Sequence, residues 1–343
     1  MPFPCSSFQK YVAIVVLEAL LKRPFTIRSD EEFNALALEL FHLHAERNTV
    51  YRGFLSGLKV DPGKVERVDQ IPFLPIGLFR SHTILLDGLE ATLRFASSGT
   101  TGAPTSHHYL PWPGVYERSI LAGFRRVYGD PAQWRIVALI PSHLERKDSS
   151  LAWMMDRLIG ATDDPLSGVF GSDLDRVGEI LRRSEREGRK TLVVGVSCAL
   201  LDLAEKHAMP LKHTTVVETG GMKGRRQELV REELHQILSE AFGLASVHSE
   251  YGMTELLSQA WSTGSGLFSC PPWMRVQVRD VNDPLHALGQ GRTGGIDVID
   301  LCNIGSCPFI STQDLGRMHA NGSFEVLGRF DHSDLRGCNL LVA

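Results

Sequence analysis

Residues 214–221 read TTVVETGG, a short β-branched run that ends in a pair of glycines. It has the length of one strand, and a helical pattern follows it over 225–242. The runs WRIVALIP (134–141) and TLVVGVS (191–197) have the same character, and SSLAWMMDRLIGA (149–161) again has helical period. Strands that alternate with helices form a largely parallel sheet covered by helices. The sequence therefore predicts an α/β fold with functional loops at the strand ends.

Two regions of different periodicity flank this α/β core, which we place at residues 76–270. Residues 1–75 are mainly helical in pattern, and we assign them to the same domain; Ser29 and Glu32 form a capping box ahead of apolar residues at helical spacing. In residues 271–343 the helical periodicity fades, which predicts a smaller β subdomain. Its predicted strands are MRVQVRDV (274–281), GIDVIDL (295–301) and FEVLGRF (324–330).

The composition is that of a globular protein that handles small molecules. Of 343 residues, 43% are hydrophobic, and 36 Lys and Arg face 40 Asp and Glu without any block of like charge, so nucleic acid is not expected as a partner. Six cysteines include no C-x-x-C pair, which argues against a zinc site or a disulfide framework and favours a reducing compartment. The apolar run Tyr11–Leu21 is broken by Glu18 and predicts a core helix. We expect a cytoplasmic protein without integral membrane association.

A segment rich in glycine and hydroxyl groups, RFASSGTTGAPTSHH at 94–108, interrupts the apolar pattern. Its glycines let backbone N–H groups approach a ligand closely, and its serines and threonines add hydroxyl donors, a combination that suits a polyphosphate. It is not the G-x-x-x-x-G-K-[ST] nucleotide loop, because the chain contains no Gly-Lys-Ser or Gly-Lys-Thr. Taken alone, the segment is also consistent with a flexible surface turn.

Four motifs in a fixed order resemble those of the adenylate-forming superfamily, which includes acyl-CoA synthetases, aryl-CoA ligases and luciferases. SSGTTGAPT resembles the phosphate loop of that superfamily, and ETGGM resembles the end of its adenine-side strand. YGMTE is similar to the second nucleotide motif, and STQD followed by GRFDHSD is similar to the ribose motif and hinge. In that order, these sequences stand at 97–105, 218–222, 251–255, 311–314 and 328–334.

A narrower resemblance, from about residue 50 onward, links the chain to the acyl-protein synthetase component of the bacterial bioluminescence fatty-acid reductase. It is carried by IPFLPIGLF, IPSHLERKDSSL, GGMKGRR, SEYGMTELLSQAWS and DLRGCNLL, which begin at residues 71, 140, 220, 249 and 334. The resemblance implies the large N-terminal adenylation domain of adenylate-forming enzymes. It also implies ATP-dependent activation of a carboxylic acid, a fatty acid in the narrower group, with ATP and Mg²⁺ and with transfer of the acyl group to a thiol.

The resemblance assigns the nucleotide to residues of the first three motifs. The glycine-rich loop would hold the β- and γ-phosphates through amides and hydroxyls, and the glycine pair after the 214–218 run would let the backbone approach adenine. Tyr251 would present its flat ring to the base. The residues of the loop and of the glycine pair are Ser97, Ser98, Gly99, Thr100, Thr101, Gly102, Gly220 and Gly221.

By the same resemblance, Thr254 would hydrogen-bond the α-phosphate and Glu255 would bring in Mg²⁺. Asp314 would accept hydrogen bonds from both ribose hydroxyls, and Arg329 would add positive charge near the ribose and phosphates. Ordinary structural roles are the alternatives: a core tyrosine at Tyr251, an acid at a helix start, and an aspartate that forms a turn. The joint order and spacing of the motifs favour the functional roles.

Two departures from the superfamily remove positive charge from the predicted phosphate site. Thr105 follows Pro104 where many relatives have a lysine, and the sequence ends at Ala343, without the C-terminal lid domain whose lysine aids adenylation in the large members. Other residues or a partner must then supply this charge. Lys223 and Arg225, just after the glycine pair, are candidates, and a solvated face at a helix start is the alternative for both.

Cys338, near the carboxyl end, is the acyl acceptor that the narrower resemblance implies. A thiolate is a strong nucleophile near neutral pH, and thioesters stay reactive enough to pass the acyl group on. The receiving partner would be an acyl reductase, an acyltransferase or a carrier protein. His143 would line the carboxylate pocket or assist the thiol. Alternatively, Cys338 packs as a small apolar residue and His143 is an ordinary polar residue.

Two other functions stay open at this point. The acceptor can be an external thiol, of coenzyme A or of a carrier protein, which would make the chain an acyl- or aryl-CoA ligase. The chain can also be a non-catalytic subunit that binds nucleotide or acyl groups, since the lid and the loop lysine are missing. Four apolar residues either line an acyl tunnel or fill the core: Trp153, Met154, Met155 and Trp261.

Overall fold

A computed structural model describes the chain over residues 17–97, 105–140, 148–220 and 229–330. The amino-terminal part contains helices α1 (Asp30–Arg47) and α2 (Thr49–Gly57). The predicted amino-terminal cap of α1 is confirmed, because Ser29 Oγ accepts a hydrogen bond from the Glu32 N–H at 3.3 Å. The Glu32 carboxylate accepts a hydrogen bond from the Arg28 N–H at 2.7 Å. In the usual capping box the donor would be the N–H of the cap residue itself, here Ser29.

The apolar run before α1 is helical where it is described. Residues 17–20 form helix, and Leu17 and Leu20 are buried, as the prediction of a core helix requires. The part of the Tyr11–Leu21 run before residue 17 lies outside the described ranges.

A short strand and a hairpin lead into the centre of the molecule. Strand β1 (Leu74–Pro75) is followed by a 3-10 turn at Ile76–Arg80. Strands β2 (Leu93–Ala96) and β3 (His107–Leu110) form an antiparallel pair whose last partners are Ala96 and His107. The hairpin therefore carries the glycine-rich segment between its two strands.

The predicted, largely parallel sheet is confirmed. Its six strands are β4 (Arg135–Leu139), β5 (Gly168–Val169), β6 (Thr191–Gly195), β7 (Thr214–Glu218), β8 (His248–Tyr251) and β9 (Ala260–Ser262). They lie in the order β5-β4-β6-β7-β8-β9, and every pair is parallel except β8 with β9. Strands β4 and β6 are buried along their whole length, which explains why their sequences show no alternation of polar and apolar residues.

Helices cover both faces of this sheet. The five helices are α3 (Pro113–Tyr128), α4 (Ser150–Gly160), α5 (Leu174–Glu187), α6 (Ser197–His207) and α7 (Arg231–Phe242). Ile136 and Ala138 of β4 point into the core formed with α3 and α4. Val137 and Leu139, which alternate with them, pack against α5, α6 and α7 on the other face.

A second, five-stranded sheet follows, as the sequence predicts for the carboxyl-terminal part. Besides β1, its strands are β10 (Met274–Arg279), β11 (Thr293–Asp300), β12 (Phe309–Met318) and β13 (Phe324–Arg329). Their order is β1-β12-β11-β10, and β13 pairs with β12. Strand β12 is the longest of the described strands. It was not among the predicted strands because its STQD segment is polar throughout, although Thr312 and Asp314 are buried. The division of the chain at residues 75 and 270 stays a prediction.

Over the described ranges, none of the helices combines the length and apolar character that crossing a bilayer demands.

Candidate active site

The two ends of the glycine-rich loop are joined by hydrogen bonds that extend the β2–β3 hairpin. The Ser97 N–H donates to the Ser106 carbonyl at 2.9 Å, and the Ser106 N–H donates to Ser97 Oγ at the same distance. Ala96, just before, donates its N–H to the Asp148 carbonyl at 2.9 Å. The base of the loop is therefore fixed to the hairpin and to the segment that precedes α4.

Glu255 lies beside the base of this loop. Its carboxyl group is buried and is hydrogen-bonded to the Ser106 side chain. Burial raises the pKa of Glu255, while the Ser106 hydrogen bond and the positive charges of Arg329 and Arg80 act in the opposite direction. The fold thus brings the predicted metal-binding acid next to Ser106, at the base of the predicted phosphate loop, and within electrostatic reach of two arginines.

His108 and Asn303, which sequence reasoning did not assign to the site, hold the backbone at residues 254–255. Nδ1 of His108 donates to the Thr254 carbonyl at 2.8 Å, and its Nε2 lies 3.0 Å from Asn303 Oδ1. Asn303 Nδ2 donates to the Glu255 carbonyl at 2.9 Å. Burial lowers the pKa of His108 to about 4, which the hydrogen bonds to Thr254 and Asn303 oppose only in part. These contacts position Thr254 and Glu255 through their main chain.

Three predicted site residues meet at one carboxylate. The Tyr251 hydroxyl donates to Asp314 Oδ2 at 2.9 Å, and Arg329 Nε donates to Asp314 Oδ1 at 3.0 Å. Asp314 and Arg329 are cross-strand partners on β12 and β13. The Tyr251 ring packs edge-on against Phe268 and Phe324, and burial raises the pKa of its hydroxyl, which stays protonated. Roles of these residues toward the ribose and adenine stay predictions.

The end of β7 is organised around Glu218, a residue of the ETGGM motif to which we assigned no role. The Gly220 N–H donates to Glu218 Oε2 at 2.7 Å, and Arg231 Nε donates to Glu218 Oε1 at 3.1 Å. Burial would raise the pKa of Glu218, but hydrogen bonding from His235 and the charge of Arg231 outweigh it and lower the pKa to about 2. Gly220 has φ +72°, a conformation that favours glycine.

Arg231 also ties this region to the second sheet. Its Nη1 donates to the Val326 carbonyl on β13 at 2.7 Å, three residues before Arg329. The strand end that carries Gly220 and the strand that carries Arg329 are thereby linked through the partly buried guanidinium group of Arg231. The predicted adenine-side and ribose-side residues belong to one connected arrangement.

Several predicted site residues lie outside the described ranges, and their roles stay predictions. They are Ser98, Gly99, Thr100, Thr101, Gly102, His143, Gly221 and Cys338.

The described cysteines are free and poorly suited to nucleophilic catalysis. Burial raises the pKa of Cys270 and that of Cys307 to about 12, and it also raises the pKa of Cys302 well above its usual value. Cys198 is buried as well. Since the thiolate is the reactive form, the thiols of Cys270, Cys302 and Cys307 are weak acyl acceptors at neutral pH.

Comparison with known proteins gives matches among solved structures. No family model and no curated protein sequence matches this chain. The structure of 2-hydroxyisobutyryl-CoA ligase in complex with 2-HIB-AMP and CoA is similar, with a TM-score of 0.63 and 13% identity over 88% of this chain and 70% of that chain. ATP-bound MatB from Rhodopseudomonas palustris has a TM-score of 0.53 and 18% identity over 70% of this chain and 48% of its own.

A luciferase-like enzyme from the nonluminescent mealworm Zophobas morio is also similar, with a TM-score of 0.50 and 14% identity over 71% of this chain and 58% of that chain. The chain spans about half the length of MatB. At these identities the likenesses establish the architecture. The chain has the mixed α/β fold of the N-terminal adenylation domain of adenylate-forming enzymes.

Proposed function

We propose that this chain activates a carboxylic acid with ATP. A carboxylate oxygen of the acid forms a bond to the α-phosphorus of ATP, the bond to the β-phosphate oxygen breaks, and pyrophosphate leaves with its electron pair. The products are acyl-AMP and pyrophosphate. The observation that carries the proposal is the convergence of separate motifs: Arg329 pairs with Asp314 and its charge also reaches Glu255, beside the base of the glycine-rich loop.

Each side chain then has a share in positioning charge, which is the main task in phosphoryl and nucleotidyl transfer. Asp314 has lone pairs beyond those that Tyr251 and Arg329 use, so it can accept from ribose hydroxyls. Arg329, whose side chain is largely exposed, offers its remaining N–H groups to the phosphates. Ser97 and the loop residues through Gly102 would surround the β- and γ-phosphates.

Glu255 is suited to hold Mg²⁺ together with substrate phosphates. Among the described residues, no group of three His, Cys, Asp or Glu side chains is arranged as a complete metal site. One buried carboxylate beside a phosphate loop nevertheless fits Mg²⁺, which is commonly held by one or two carboxylates plus phosphate oxygens and waters. The ion would neutralise phosphate charge when bound, and Thr254, fixed by His108, would orient the α-phosphate.

Transfer of the acyl group to Cys338 is the second half of the proposal. Its thiolate would attack the acyl carbonyl, a thioester bond would form, and AMP would leave. The poor acidity of Cys270, Cys302 and Cys307 supports an acceptor elsewhere. The alternative acceptor is an external thiol, of coenzyme A or a carrier protein; the similar 2-hydroxyisobutyryl-CoA ligase structure contains CoA.

The experiment that tests the adenylation is ATP–pyrophosphate exchange across fatty, hydroxy and aromatic acids. We expect exchange that requires an acid and falls by about 100-fold or more in Glu255→Gln, the range seen when one transition-state contact is removed. Glu179→Gln, an exposed carboxylate on α5, is the matched control and keeps full exchange. Tight ATP binding without exchange for any acid would instead identify a non-catalytic nucleotide-binding subunit.

A further inference from the structure

A polar cluster lies between the edge of the six-stranded sheet and helix α3. Glu250 on β8 and Trp261 on β9 are directly opposite in the antiparallel register, so their side chains share one face of the sheet. His248, two residues before Glu250, is on the same face. Helix α3 contributes Tyr128 and Gly123 to this cluster.

The rings of the cluster fix one another. The Tyr128 hydroxyl is hydrogen-bonded to His248 Nδ1 at 3.1 Å, and the two rings stack with centroids 5.8 Å apart. The Tyr128 ring also meets the Trp261 ring at 5.4 Å and 87°, an edge-on contact. The Trp261 ring is therefore held in one orientation by ring contacts, while its main chain exchanges hydrogen bonds with Ser269.

The indole N–H of Trp261 is a buried donor that lacks a partner. Only 5% of the residue is exposed, and among the described residues Nε1 has no hydrogen-bonding atom. By contrast, Trp273 Nε1 donates to Ser119 Oγ at 3.1 Å. A buried donor left unpaired destabilises a fold, so it favours a ligand atom that accepts its hydrogen bond. Gly123 supplies no side chain on the facing helix, and a Cβ there would lie 4.0 Å from Nε1.

Glu250 adds a second group that donates near neutral pH. Burial raises the pKa of Glu250 to about 8, and the charge of Glu218 acts in the same direction. The carboxyl group therefore keeps its proton over most of the physiological range. Its Oε1 lies in the space beside Gly252 that a Cβ at that position would enter, so the carboxyl group lies over the main chain at Gly252.

The cluster adjoins the nucleotide residues along β8. Glu250 immediately precedes Tyr251, whose hydroxyl binds Asp314, and adjacent strand residues point to opposite faces. A molecule joined to the nucleotide at the end of β8 can thus extend to the face that carries Glu250 and Trp261. The acyl part of an acyl-AMP is the group that would extend in this way.

We propose that Trp261 Nε1–H and the Glu250 carboxyl bind a hydrogen-bond acceptor in the acyl part of the substrate, an oxo, hydroxyl or ring-heteroatom oxygen or nitrogen. The inference rests on the proposed adenylation and specifies its substrate class: polar-substituted acids in preference to plain alkanoic acids. A plain alkyl chain would leave both donors unpaired, and sites built to hydrogen-bond a substrate group reject analogues that lack it.

The test is acid selectivity in ATP–pyrophosphate exchange. Octanoic acid is compared with oxo- and hydroxy-octanoic acids, and benzoic acid with hydroxybenzoic acids. We expect at least one acceptor-bearing acid to exceed its plain counterpart by about tenfold in kcat/KM, the value of one hydrogen bond. Trp261→Phe lowers that ratio about tenfold, and the change falls on the KM for the acid, not on the KM for ATP.

Two further variants separate selectivity from folding. Trp273→Phe removes a partnered indole N–H in the same core and leaves the selectivity ratio as in the wild type. Gly123→Ala, which adds a methyl at van der Waals distance from Nε1, lowers the ratio without removing the indole and serves if Trp261→Phe does not fold. If the plain acids exchange best and neither Trp261→Phe nor Gly123→Ala changes the selectivity ratio, this inference is overturned and the proposed adenylation stands. No exchange with any acid would overturn the adenylation and this inference with it.

Discussion

Arg329 Nε donates to Asp314 Oδ1 at 3.0 Å although 74% of the Arg329 side chain is exposed. The carboxylate, in contrast, is buried, and its other oxygen accepts from Tyr251. An exposed guanidinium anchored at one nitrogen keeps its remaining N–H groups free for a ligand, at little cost in stability. This geometry is that of a binding contact more than of a structural ion pair.

Asp314→Asn tests that reading. We expect the KM for ATP in pyrophosphate exchange to rise about tenfold or more, because the amide accepts poorly from ribose hydroxyls and no longer orients Arg329. Glu325→Gln, on the neighbouring strand β13, is the control, since it pairs with His319 and Arg317 away from the site. An unchanged KM for ATP in Asp314→Asn would remove Asp314 from the nucleotide site.

Glu250 predicts a pH-dependent loss of stability. Its pKa rises from 4.5 unfolded to about 8 folded, so the folded chain holds a proton that the unfolded chain releases in this window. The contribution of the protonated Glu250 to the free energy of unfolding is fully present below pH 4.5 and is lost as the pH rises toward 8. As the pH rises across this window, the free energy of unfolding of Glu250→Gln should increase relative to that of the wild type by on the order of 1 kcal/mol per pH unit. Urea unfolding at a series of pH values measures it, and parallel profiles would contradict it.

Glu218, on the adjacent strand, should behave in the opposite sense. Its pKa falls from 4.5 to about 2, so its contribution to stability is present above pH 4.5 and is lost as the pH falls toward 2. Glu218→Gln should therefore destabilise the protein at neutral pH, and the difference from wild type should shrink in acid. The same urea series detects this; a difference that persists unchanged in acid would show that the charge of Glu218 is not the cause.

Cys338→Ser separates the two candidate acceptors. If Cys338 takes the acyl group, the variant keeps acid-dependent pyrophosphate exchange but no longer acquires hydroxylamine-labile radioactivity from labelled acid and ATP. Cys270→Ser is the control and stays labelled, because its thiol is held protonated. Full labelling of Cys338→Ser would exclude Cys338, and wild-type protein that labels only coenzyme A or a carrier protein would make the external thiol the acceptor.

The parallel sheet could be predicted because strands that are buried on both faces have continuous apolar, β-branched sequences. Strands β4, β6 and β7 are β-branched runs at the places predicted. Strand β12 escaped prediction since one of its faces is only partly buried and its STQD segment has the composition of a turn. The residues Tyr251, Asp314 and Arg329 came from ordered motifs, and the fold brings them into contact.

Contacts between distant segments account for what sequence reasoning missed. His108 and Asn303 are 195 residues apart in the chain, and nothing local marks either as a partner of Thr254 or Glu255. Trp261 could be assigned from sequence only as tunnel lining or core. Its unpaired N–H and its position opposite Glu250 become visible only through the register of β8 and β9.

The most direct test of the central claim follows the carboxylate oxygen. The protein is incubated with ATP, Mg²⁺ and an acid labelled with ¹⁸O in its carboxyl group, with hydroxylamine present to accept the acyl group, and the AMP is analysed by mass spectrometry. Adenylation predicts AMP that carries one ¹⁸O atom from the acid, since the oxygen that attacks the α-phosphorus stays with it when the acyl group leaves. Label found in inorganic phosphate with ADP as co-product, or AMP without label, would contradict the account.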